Sequence, residues 1–145
     1  MAEQNVVLEI TRPVSSTLAA LVLADIAAGT TLYQYIAVKI DTSGNIAVAD
    51  VGSTTTTRAI GILQNRPSVT GEAARVAVVG VSLARMNETV DAGEAVCAST
   101  TAGKLEVADA DLDRCIGVAL ETCETQNSLI SILLGQFEAG GDESA

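Results

Sequence analysis

Residues 44–50 read GNIAVAD and residues 58–63 read RAIGIL; residues 103–109 read GKLEVAD and residues 114–120 read RCIGVAL. The two passages keep the same phase. Ile46 and Val48 of the first correspond to Leu105 and Val107 of the second, and Ile60 and Ile62 correspond to Ile116 and Val118. Alternation of this kind is the period of a half-buried strand. Each passage runs on into an apolar strand that closes on glycine, VAVVG at 76–80 and SILLG at 131–135. Each also follows an Ala-Gly pair, Ala28-Gly29 in one case and Ala92-Gly93 in the other. Two related β units, about 28–80 and 92–135, are therefore predicted, and packing their apolar faces together buries surface that neither buries alone. Gly61 and Gly117 fall in mid-strand, where glycine marks a bend or a close backbone approach.

Outward from the repeat, turns near Gly44, Gly52, Gly71, Gly93 and Gly103 separate strands expected at 32–40, 45–49, 58–64, 74–85, 94–99, 104–108, 115–121 and 128–134. Many short strands with glycine turns predict a mostly β fold, a compact sandwich or barrel-like domain over 28–137. Residues 1–27 read as an N-terminal arm and linker. In the arm Val6, Leu8 and Ile10 alternate with Val7, Glu9 and Thr11, and Pro13 limits further ladder pairing. Ser15 and Ser16 are placed to cap a short helix that carries Leu18, Leu21 and Val22 on one face. Residues 53–57 (STTTT) read as an exposed polar loop, and the acidic, Gly-rich tail EAGGDESA at 138–145 is expected to be disordered. A strand with Val6, Leu8 and Ile10 exposed is an aggregation hazard unless covered. The arm is thus expected either to add as an edge strand to a partner protein or a neighbouring protomer, or to complete the chain's own sheet.

A chain of 145 residues fits one domain. Its aromatic residues are Tyr33, Tyr35 and Phe137. The core must therefore be built from Val, Ile, Leu and Ala, which favours thin, tightly paired strands over a deep pocket. The net charge of −10, with Lys and Arg few and scattered, excludes binding to nucleic acid through phosphates; aromatic platforms for stacked bases are missing too. No apolar run approaches the length of a membrane span. The apolar segment 18–26 is broken by Asp25 and lacks a basic start, so synthesis in the cytoplasm and no membrane partner are expected. Cys97, Cys115 and Cys123 form an odd set, their spacing matches no zinc pattern, and the chain has no histidine. Free buried thiols and no metal or other cofactor follow as expectations.

Each motif that could carry chemistry also has a plain structural reading. Asp41-Thr42-Ser43-Gly44 resembles the Asp-Thr-Gly of aspartic proteases, but the inserted Ser43 breaks the register that lets two such loops share a proton. The same residues suit any strand-to-strand turn. Asp109, Asp111 and Asp113 open like a calcium loop, yet Arg114 stands where that loop needs glycine and Leu120 where it needs glutamate. A solvated acidic turn accounts for them. Without histidine the usual Ser and Cys triads are impossible. No catalytic residues are assigned, and a non-enzyme is expected.

Ala92-Gly93-Glu94, the Gly103-Lys104-Leu105 turn, Ile116 through Glu121 (IGVALE), Gly80-Val81 and the closing apolar strand form a further pattern. Over about residues 28–135 it resembles the small decoration (cement) proteins of tailed-phage capsids. The resemblance implies a compact β fold assembled as a homotrimer on the virion's capsid exterior, with the major capsid protein as partner. It implies a mechanical role, clamping capsid subunits against internal DNA pressure, and the family offers no catalytic residues to carry over. Val6, Leu8 and Ile10 would then be the partner-binding residues. The alternative from another class is an adhesion module that binds a receptor or carbohydrate on a virion or cell surface; for sugar stacking the chain offers Tyr33 and Tyr35.

Overall fold

The computed structural model describes residues 4–49, 58–99, 101–108 and 114–138, and two adjacent cross-strand pairs organise it. Strand β4 (Gly61–Leu63) runs antiparallel to β5 (Ala73–Arg85), setting Ile62 opposite Ala77 and Leu63 opposite Val76. All four side chains are fully buried, but they face opposite ways. Leu63 and Val76 enter one apolar cluster, and Ile62 and Ala77 enter another. The two strands are a wall between two cores. Burial on both faces explains why residues 59–63 form a continuous apolar run with no alternation.

The first core lies under β1 (Asn5–Pro13), helix α1 (Ser16–Ala27), β2 (Ala37–Ile40) and β3 (Ile46–Val48). The second is closed by β6 (Ala95–Ala98), β7 (Leu105–Val107), β8 (Arg114–Ala119) and β9 (Leu129–Glu138). The fold is mostly β: one curled, open antiparallel sheet forming a half-barrel, in the order β3-β2-β4-β5-β9-β8-β6-β7, with β1 also paired to β5. Curling brings strand ends back onto the sheet, where Val14 bridges Ile46 and Met86 bridges Leu105.

The order runs through the same roles from either edge, and individual bonds recur. The Ser15 amide donates to Ile46 O at 2.9 Å, and the Asn87 amide to Leu105 O at 2.7 Å. Tyr35 N–H reaches Leu63 O at 2.9 Å as Gly93 N–H reaches Ala119 O at 2.7 Å. A Cβ on Gly61 would sit 2.2 Å from Ala77 O, and one on Gly117 would sit 2.4 Å from Leu133 O. Both glycines are therefore close-approach positions, where any side chain would push neighbouring strands apart. In these bonds Tyr35 takes the place that Gly93 takes, and both have a left-handed backbone (φ 63° and 94°). Gly29 instead bonds back to the helix, its amide reaching Ile26 O at 3.0 Å. β1 pairs antiparallel with β5, as β5 does with β9.

Helix α1 starts where expected, with the Ser15 side chain accepting from the Leu18 amide at 3.2 Å. It buries Leu18, Ala19 and Val22 in the first core. Asp25, on the same face, is 5% exposed. Its carboxylate accepts bonds from the Thr30 hydroxyl and, at 3.0 Å, the Tyr33 amide, and Arg66 Nη2 lies 3.5 Å away. Burial alone would raise the Asp25 pKa. The bonds from Thr30, Tyr33 N–H and Leu32 N–H, with the Arg66 charge, outweigh it and hold the carboxyl below its ordinary value. A carboxyl more acidic folded than unfolded contributes stability that is complete above the unfolded-state pKa and is lost as pH falls through the folded-state value. Asp25→Asn keeps the shape but loses acceptors for these donors, and should cost about 1–3 kcal/mol at pH 7. Thermal melts against pH should show wild type losing this margin below about pH 4, with the variant flatter there. Parallel profiles would contradict the assignment.

Candidate functional site

Val6, Leu8 and Ile10 were expected to share one face of an arm. Instead β1 pairs with β5 of its own chain, from Asn5 opposite Val81 to Pro13 opposite Ala73, with register shifts on both sides of Leu8. The cause lies in β5. Gly80 adopts φ +118°, and a Cβ there would lie 2.5 Å from Asn5 O and 2.6 Å from Val7 N. Only glycine lets the two backbones come this close. The shifts break the alternation: Val6 packs against the second core, Ile10 against the first, and Leu8 remains half exposed. Ahead of β1, Gln4 donates to Gln64 Oε1 and accepts from the Leu83 amide. Gln64 is itself buried, and its amide nitrogen donates to Ser82 Oγ at 2.9 Å and Ile62 O at 3.0 Å. The start of β1 is thus tied into the β4–β5 wall.

The same geometry leaves an aliphatic row on the outside of the sheet. Leu8 (50% exposed) stands opposite Val79 (43%), with Val7 (73%) beside it. Next along, Leu133 (48% exposed) lies between Val81 and Val118, both partly exposed, as their cross-strand neighbour on β9. The row therefore crosses β1, β5, β9 and β8 at the seam between the two halves. Of the residues singled out from sequence, only Leu8 belongs to it. Val7, Val79 and Leu133 were missed because their exposure depends on strand neighbours and bulges that alternation does not reveal.

A second feature is a cleft of about 580 Å³ where α1 begins, lined among others by Ser16, Thr17, Tyr33, Lys39, Asp41 and Asn45. Asp41 is the only carboxylate among its described lining residues. Its Oδ1 accepts the Ser43 and Asn45 amides, each at 2.9 Å. It closes the β2–β3 turn, and among the described residues lining the cleft no second carboxylate stands beside it to share a proton. Tyr35 lies elsewhere, packed against the second core, so the two tyrosines form no common stacking surface. Cys97, Cys115 and Cys123 are buried thiols. Among the described residues no three His, Cys, Asp or Glu side chains converge as a metal site. Asp109, Asp111 and Asp113, the loop at 53–57 and residues 139–145 lie outside the described residues; Glu138, expected in the tail, is the last residue of β9. Among the described residues no helix is long and apolar enough to cross a membrane. No family model, curated protein or solved structure matches the chain.

Because β1 covers one flank of β5 and packs Val6 and Ile10 against the two cores, removing residues 1–12 should lower the melting temperature by more than about 10 °C or abolish the cooperative transition. Circular dichroism melting of the truncated protein checks this. A melt within a few degrees of the full chain would mean that β1 is a dispensable arm.

Proposed function

We propose that the chain is a structural decoration protein that binds the outer surface of a phage capsid and stabilises the head. The observation that carries this reading is the exposed aliphatic row of Val7, Leu8, Val79 and Leu133. It lies on a hydrogen-bonded sheet face with no convergent catalytic side chains beside it among the described residues. Rows of this kind on a soluble surface mark sites of association. Covering the exposed parts of these four side chains contributes about 3–6 kcal/mol before ordering costs, and trimeric display on the capsid multiplies the attachment through effective concentration. The net charge of −10 suits a coat present at high local density and kept off nucleic acid. On the resemblance drawn from residues 28–135, the partner is the major capsid protein, the assembly is a homotrimer and the place of action is the virion exterior.

One observation favours adhesion as a second reading: the cleft at the start of α1, which presents Tyr33, Lys39, Asp41 and Asn45 together. A cleft with a few polar groups and one aromatic ring is the kind of site a carbohydrate enters.

The two readings separate in one experiment. Co-sedimentation with undecorated capsids should be saturable. The double variant Leu8→Glu/Leu133→Glu should weaken it at least about tenfold, equivalent to ~1.4 kcal/mol, while its melting temperature stays within a few degrees of wild type. No capsid binding, together with glycan binding abolished by Tyr33→Ala, would replace the decoration reading with adhesion.

A further inference from the structure

Strands β6 and β8 set Cys97 directly opposite Cys115. Opposed residues on antiparallel neighbours have Cα atoms about 4.5–5.5 Å apart, and disulfides span Cα separations of roughly 4.4–6.8 Å. Direct opposition also places both side chains on one face of the sheet. Their chain neighbours Val96, Ala98 and Ile116 supply the second core, while Cys97 and Cys115 are buried outside that cluster, 1% and 2% exposed. The ladder is irregular at this point: from Val96 to Cys97 the partner steps from Gly117 to Cys115. A bulge loosens the local ladder and gives the strands room to adjust.

We propose that Cys97 and Cys115 form a disulfide site, a cross-strand staple that closes when the reduced chain meets a small-molecule disulfide such as oxidised glutathione. One cysteine, as thiolate, attacks a sulfur of oxidised glutathione and expels one glutathione thiolate, leaving a mixed disulfide. The other thiolate then attacks the protein sulfur of that mixed disulfide and expels the second glutathione. Two electrons pass from the cysteine pair to the oxidant, and the two thiol protons end on the two glutathiones. Access comes through the edge of the sheet, since β6 and the three-residue β7 are its last strands on that side. Fraying of these two edge strands, with β8 and β9 still paired, costs less than unfolding the domain. Cys123 is the internal control: it sits in the second core, bridged to Val90, with Sγ donating to Thr125 O at 3.0 Å. The site stands apart from the capsid reading, and would exist whatever the chain binds.

The test is incubation of the native full-length protein with oxidised glutathione at mildly alkaline pH, followed by alkylation in denaturant and peptide mapping. Linked Cys97 and Cys115 peptides with Cys123 alkylated are expected, along with a rise in melting temperature of about 5–10 °C that dithiothreitol reverses. Cys123→Ser should keep the link and the rise, and Cys97→Ser should lose both. The proposal is overturned if all three thiols remain alkylatable. It is also overturned if glutathione adducts accumulate at Cys97 or Cys115 without resolving into the bridge, or if the linked protein melts no higher than the reduced one.

Discussion

Ile62 against Ala77 and Leu63 against Val76 are the contacts from which the rest of the fold follows, because each pair belongs to a different core. A strand pair buried on both faces cannot shift toward one core without opening the other, and close-packed interiors tolerate little of either. The chain meets this demand with small and branched aliphatics. Gly61 removes the last side chain that would hold β4 away from Ala77 O, and Ala77 leaves room for Ile62. An aromatic residue at any of these places would force the wall apart.

The long strand β5 extends that wall in both directions. Its first part carries β1 and β4, and its second part carries β9, with Gly80 at the changeover. At its end Arg85 is buried, and its guanidinium donates to Thr31 O at 2.9 Å and Asn127 O at 2.7 Å. One side chain thereby ties the loop before β2 to the loop before β9. The outer aliphatic row is a by-product of the same seam. Past the stretch paired with β4, Val79 on β5 and Leu133 on the neighbouring β9 stay partly open to solvent.

Much of this was legible in the sequence because glycine and alternation carry direct geometric meaning. Gly61 and Gly117 read as bends or close backbone approaches, and both are close approaches. The strands around 46–48, 73–85, 95–98 and 105–107, and the helix capped by Ser15, fell near their expected places. Other features were hidden for physical reasons. Tyr35 takes a left-handed conformation that a sequence reading reserves for glycine, so the strand expected at 32–40 begins only at Ala37. The bulges in β1 exist only because Gly80 lies across from them, and period-two alternation in residues 5–12 therefore placed Val6, Leu8 and Ile10 on one face. The cleft and the Cys97–Cys115 opposition depend on pairings between segments far apart in the chain, which no local pattern encodes.

If the β4–β5 wall joins the two cores, they must lose structure together. Native-state hydrogen exchange, followed residue by residue with increasing denaturant, tests that most directly. Amides of β4 and of the central part of β5 should exchange only through global unfolding, with the same free energy and the same denaturant dependence as the slowest amides of β2 and β9. The opposite result is a sub-global opening in which β6 to β9 exchange at a distinctly lower free energy while β1 to β5 stay protected. That pattern would show two independently stable halves and contradict the account.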